Sequence, residues 1–129
     1  MAATTQFCVC LSNKLGALSK LCDALKRAKV NIEAISVADN VDCCCVRLIA
    51  KPVAAAKAAL TKAKYSFCTQ QVLTVGATNR PGELARLSGR LARAGVNINY
   101  VYGTTGGGES AMLVFSVSNV KKAQKAVGG

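Results

Sequence analysis

The chain contains no histidine and no tryptophan, and it carries six acidic residues against 17 Lys and Arg. Without histidine or paired carboxylates there is little to move a proton at neutral pH. The composition therefore argues against an enzyme working by acid–base or nucleophile–base chemistry. The same absence leaves a cysteine-based metal site short of its usual partner, and no metal or cofactor is expected. No run of about 20 apolar residues occurs, so no transmembrane helix is predicted. The N-terminal stretch MAATTQFCVCLSNK lacks the basic-then-apolar order of a signal peptide, and a cytoplasmic location is the expectation.

Seven cysteines, an odd number in scattered positions, suit reduced thiols better than a disulfide framework. Cys43, Cys44 and Cys45 are consecutive on a predicted strand and so point to alternate faces, where three cannot chelate one ion. Cys8 and Cys10 share a face, but no third or fourth ligand is suggested. Reversible oxidation at an exposed thiol stays open. The net charge of +11 permits a polyanion partner. Its Lys and Arg are spread over the outer faces of all the predicted helices, with no block forming a tail, which reads as a solvated surface. Gly106-Gly107-Gly108 resembles a phosphate loop only superficially. It lacks a Lys-Ser/Thr end and precedes a strand, so a flexible hairpin connection is predicted.

The chain is a tandem duplication. An offset of 66 residues carries Asn13 onto Asn79, Gly16 onto Gly82, Leu18 onto Leu84, Leu21 onto Leu87 and Leu25 onto Leu91. It also carries Arg27, Ala28, Val30, Asn31 and Ile32 onto Arg93, Ala94, Val96, Asn97 and Ile98 without a gap. A shared helical period does not account for the matches at Asn13, Gly16 and Asn31, which are not core positions.

Each copy reads as strand, helix, strand, strand, helix, strand, the ferredoxin-like α+β arrangement. In the first copy the strands are predicted at Phe7–Leu11, Ile32–Ala38, Cys43–Ala50 and Tyr65–Gln70, with a turn over residues 39–42 and a second helix from Pro52 to Lys64. In the second they fall at Gln71–Ala77, Asn97–Gly103 and Ser110–Val117, with a last helix over Val120–Val127. The expected domains are 1–70 and 71–129. Because Gly129 follows the last helix so closely, the second sheet is expected to be one strand short, leaving an open edge along Gln71–Ala77. No turn signal interrupts Tyr65–Ala77 before Gly76, which suggests one long strand or a kinked pair, the fourth strand of the first copy leading directly into the first strand of the second.

The stretch Thr78-Asn79-Arg80-Pro81-Gly82-Glu83-Leu84 joins the strand QVLTVGA to an amphipathic helix with Leu84, Leu87, Leu91 and Ala94 on one face. Asn79 is expected to cap that helix, Pro81 to enter its first turn, and Gly95 to stop it. Backbone N–H groups at such a helix start favour an anion. Strand, Asn-x-Pro-Gly-x-Leu, helix and then Ala94-Gly95-Val96-Asn97-Ile98 resembles the ACT domain. The resemblance implies a βαββαβ regulatory module that binds an amino acid or related small carboxylate, usually where two such domains meet.

It places ligand contacts at Asn79, Arg80, Pro81, Gly82, Glu83 and Leu84, and at Asn97, Ile98 and Asn99. The matching turn of the first copy (Asn13, Lys14, Leu15, Gly16, Ala17, Leu18, with Asn31 and Ile32) is the weaker candidate. Leu15 replaces Pro81 there, and Lys29 replaces Gly95, so a left-handed helix stop costs about 1 kcal/mol or more. That turn either binds ligand too or only docks the other copy. A homodimer and a regulated protein partner are expected. The rival reading is a nucleic-acid-binding protein on the same scaffold, which explains the charge but lacks stacking rings on the central strands. A structural subunit that has lost its ligand is the third.

Overall fold

Alternation of apolar and polar residues through Phe7, Val9 and Leu11 sets the inner face of the first strand, and all three are buried. The computed structural model describes residues 2–39, 44–105 and 107–128. Its elements run β1 (Ala2–Leu11), α1 (Ala17–Arg27), β2 (Asn31–Asp39), β3 (Cys44–Lys51), α2 (Val53–Lys62), β4 (Ser66–Thr78), α3 (Glu83–Arg93), β5 (Ile98–Thr105), β6 (Ser110–Val117) and α4 (Val120–Gly128). Of the turn predicted over residues 39–42, Asp39 ends β2, while residues 40–42, like Cys43 and Gly106, lie outside the described residues.

The chain divides into a first unit, Thr5–Gln70, and a second unit made of Met1–Thr4 with Gln71–Gly129. In the first unit the strand order is β2-β3-β1-β4, with β1 antiparallel to β3 and β3 antiparallel to β2. The inner face of this sheet meets Leu21 and Leu25 of α1 and Ala56 and Leu60 of α2, all fully buried. The second unit has the order β1-β4-β6-β5, and Leu73, Val75 and Phe115 pack against Leu87 and Leu91 of α3 and Ala123 and Val127 of α4. Each leucine buried in this way contributes about 1.5–3 kcal/mol.

Of the long strand and the kinked pair foreseen across the copies, the long strand is the one present, since β4 runs unbroken for 13 residues. Among the described residues no strand follows α4. The expected open edge, however, is not there. Ala2–Thr4 occupy it as the N-terminal part of β1: the hydroxyls of Thr4 and Thr74 lie 3.1 Å apart, and Thr74 Oγ1 donates to the Ala2 carbonyl at 3.2 Å. Sequence alternation is legible only from Phe7 onward. The small and β-branched residues before it become strand because β4 offers them a ladder.

Helices α1, α2 and α3 end alike. After α1, Val30 N–H bonds the Leu25 carbonyl and Lys29 N–H the Lys26 carbonyl, both at 3.0 Å, and Leu60–Tyr65 and Leu91–Val96 repeat the motif. The left-handed residue is Lys29 (φ 59), Lys64 (φ 63) and Gly95 (φ 75) respectively. Lys29 therefore adopts the costly conformation foreseen for it.

Candidate functional site

In the second unit α3 begins later than its sequence suggests. Gly82 is the N-cap, left-handed at φ 87, and receives no side-chain cap, while Arg86 N–H makes the first helical bond to the Gly82 carbonyl at 2.9 Å. Pro81 therefore stands before the cap, not in the first turn. Asn79 is not the cap either. Its N–H bonds the Glu109 carbonyl at 2.7 Å and its side-chain amide the Gly108 carbonyl at 2.8 Å. The chain reverses at the residue that accepts positive φ most cheaply, which takes Asn79 out of reach of the helix start. Arg80 N–H turns back to Thr78 at 2.9 Å.

Glu83 closes this turn from within. The residue is only 7% exposed. One carboxylate oxygen accepts Thr78 N–H at 3.0 Å, and the other accepts Arg86 Nε at 2.6 Å. The Arg86 hydrogen bond, followed by the Thr78 N–H, holds its carboxyl below the usual glutamate range. The anion that a helix start favours is here a residue of the helix itself. Leu84, 45% exposed, points away from the core. At the start of β5, Asn97 N–H donates to Ser118 Oγ at 3.0 Å, and its amide donates to Asn99 Oδ1 at 3.1 Å. Ile98 packs on the second core, and the β5–β6 register shifts between Ile98 and Tyr100, which singles out Asn99.

The first unit repeats the turn without the carboxylate. Gly16 is the left-handed N-cap of α1 at φ 82, and Lys20 N–H bonds its carbonyl at 3.0 Å. Ala17 stands where the second unit has Glu83, and Lys20 where it has Arg86. Asn13 is tied to Asp39 Oδ1 at 3.3 Å, Lys14 N–H bonds the Ser12 carbonyl at 2.9 Å, and Leu15 is fully exposed. Leu18 is exposed, and Asn31 and Ile32 open β2 just before a register shift between Ile32 and Ala34 that mirrors the one in β5.

Beside this turn lies a cavity of about 460 Å³ lined by Lys14, Leu15, Ala17, Lys20, Lys64 and Tyr65 among others. Among the described residues none of the three lysines has a carboxylate partner. The repeat comparison could have found Lys20 and the missing acid at Ala17. Lys64 and Tyr65 come from the α2–β4 turn, which no local motif connects to α1. Sequence reasoning also passed over Tyr100 and Tyr102, whose rings stack at 6.4 Å and 16° on β5. No group of three or more His, Cys, Asp or Glu suited to a metal occurs among the described residues.

Two glycine-capped helix starts related by duplication lead to a comparison with known proteins, and residues 2–127 match the ACT domain pair family. The chain belongs to that family. The ACT resemblance read from the Asn-x-Pro-Gly-x-Leu turn and the repeat is thus established, with the fold of two ferredoxin-like units. The crystal structure of protein BT0572 from Bacteroides thetaiotaomicron superposes on this ACT pair at TM-score 0.91 and 28% identity, over 98% of this chain and 87% of that one.

The ligand-free regulatory subunit of aspartate kinase from Thermus thermophilus shares the fold at TM-score 0.73 and 14% identity, over 99% and 92% of the two chains. The regulatory subunit from Thermus flavus does so at 0.64 and 15%, over 98% and 90%. No curated protein matches the ACT pair in sequence. No helix among its described residues is long and apolar enough to cross a membrane.

Proposed function

We propose that this ACT pair is a non-catalytic regulatory module that binds an amino acid or related small carboxylate and reports its occupancy by changing its association with a second copy or a regulated protein. The observation that carries this reading is the open backbone at Gly16 and Gly82. Both are left-handed, and nothing lies within 4 Å of where a Cβ would stand, so a ligand can approach the helix start closely. The first N–H groups of a helix have no intrahelical partner and attract a carboxylate, worth roughly 0.3–1 kcal/mol and up to about 2 when partly buried. The fold shared with aspartate kinase regulatory subunits supports the regulatory role.

The carboxylate is assigned to the first turn, at Gly16 with Lys14 and Lys20, because Glu83 already supplies an anion at the second. Asn79 to Leu84, with Asn97 to Asn99, form the second candidate set, where Asn side chains and strand carbonyls can accept from an ammonium group. To regulate, the ligand must bind one associated state better than another.

A thermal-shift screen of the common amino acids tests this. One or two should stabilise the protein, by about 2.7 kcal/mol at a hundred times Kd. Ala17→Glu should abolish that shift while melting stays cooperative. Failure of every amino acid and small carboxylate to move the melting point would defeat the reading. Salt-dependent binding of generic RNA would then favour the nucleic-acid alternative that the charge of +11 permits.

A further inference from the structure

Four thiols share the face of the first unit's sheet that points away from α1 and α2. Phe7, Val9, Val46 and Leu48 belong to the core and Phe67 packs against it, so their neighbours Cys8, Cys10, Cys45 and Cys68 turn outward. These four line a shallow cavity of about 330 Å³. Within it one pair is set apart by register, because Cys10 of β1 lies directly opposite Cys45 of β3. Antiparallel partners hold their Cα atoms about 4.5–5.5 Å apart. That lies inside the range of about 4.4–6.8 Å that a disulfide spans. Cys10 is exposed and Cys45 half-buried, so an oxidant reaches the pair from solvent.

We propose that Cys10 and Cys45 are a reversible dithiol, oxidised by hydrogen peroxide to a cross-strand disulfide. The Cys10 thiolate attacks one peroxide oxygen. The O–O bond breaks, water leaves after protonation, and Cys10 becomes a sulfenic acid. The Cys45 sulfur then attacks the Cys10 sulfur, forming the S–S bond, and the sulfenic oxygen departs as a second water. Two electrons pass from the thiols to the peroxide. An external dithiol reverses the step by exchange, to which an exposed disulfide is open.

Cys8 is the poorer nucleophile on this face. It is half-buried, and burial pushes its thiol up, outweighing the hydrogen bond from the Gln6 amide at 3.6 Å, which acts the other way. Cys10 also lines the lysine-bordered cavity. The disulfide would therefore fix the end of β1 next to the Gly16 turn.

The test is a non-reducing peptide map of the full chain after peroxide treatment and alkylation. Two of the seven thiols should be lost. The tryptic peptide ending at Lys14 should be joined to the one spanning Val30–Arg47, and dithiothreitol should release it. Cys10→Ser and Cys45→Ser should each remove the linked peptide, whereas Cys8→Ser and Cys68→Ser should leave it. A link to the Cys68 peptide, a link surviving in Cys45→Ser, links only between chains, or oxygen addition with no link would each overturn the proposal. If a variant fails to fold, fragment-ion sequencing of the linked wild-type peptides assigns the bonded pair, and a bond at any cysteine other than Cys10 and Cys45 overturns the proposal.

Discussion

Gly16 and Gly82 start their helices with nearly the same backbone, at φ 82 and 87, yet the two turns differ in charge. In the second unit Glu83 is folded into the turn, bonded to Thr78 N–H and Arg86, and the helix start is neutralised from inside. In the first unit Ala17 leaves that place vacant, and Lys14, Lys20 and Lys64 surround a cavity. Duplication kept the scaffold while one acidic residue separated a self-satisfied turn from one bordered by three lysines. The buried matches Leu21/Leu87 and Leu25/Leu91 report packing, Gly16/Gly82 reports the shared backbone of the turn, and Ala17/Glu83 reports what each copy does with the same space.

The comparison assumes equivalent scaffolds, and the largest expected effect tests that. Leu25 and Leu91 occupy matching positions and are fully buried. Leu25→Ala and Leu91→Ala should each cost about 2–5 kcal/mol in chemical denaturation. A clearly smaller loss for one of them would show that its helix is not held as the other is.

A smaller effect concerns the internal anion. Because the folded state depresses the Glu83 pKa, the unfolded chain binds its proton more readily. The stability that Glu83 contributes is fully present above the ordinary glutamate range and is lost as pH falls through the depressed folded value. Glu83→Gln should lower the melting temperature at neutral pH and flatten its decline in acid. An acid limb as steep as the wild type's would mean that Glu83 does not govern the turn.

Helix stops offer a finer comparison. Lys29 holds φ 59 where the second unit has Gly95 at φ 75. Lys29→Gly should stabilise the protein by about 1 kcal/mol, the relief of the left-handed penalty less the added freedom of the unfolded chain. An unchanged denaturation midpoint would show that the Lys29 side chain earns its place by other contacts. Smallest of all, Thr4→Val removes one hydroxyl from the Thr4–Thr74 pair and should cost about 0.5–1 kcal/mol. Faster hydrogen exchange along Gln71–Thr78 in that variant would confirm that β1 covers this edge, and unchanged exchange would deny it.

Much of this was legible locally. The apolar spacing of Leu21 and Leu25, and of Leu87 and Leu91, fixed which helix faces enter the cores, and the 66-residue offset revealed two copies of one fold. Even the left-handed stop at Lys29 followed from its alignment with Gly95. The misreadings arose where a distant partner outbid a local one. Asn79 looks like a cap, but carbonyls of the β5–β6 connection take its amide and N–H. The edge of β4 looks open because Ala2–Thr4 have no strand pattern of their own.

What the sequence determined by itself is periodicity and duplication, because an amphipathic helix or an alternating strand depends on neighbours a few residues away. What only the tertiary structure decided is which residues from remote segments share a space. Lys64 and Tyr65 meet the α1 turn, Thr78 meets Glu83, and Cys10 meets Cys45, each through the closing of a sheet or a helix against it. Those juxtapositions depend on register and packing over the whole unit, which no short window of sequence contains.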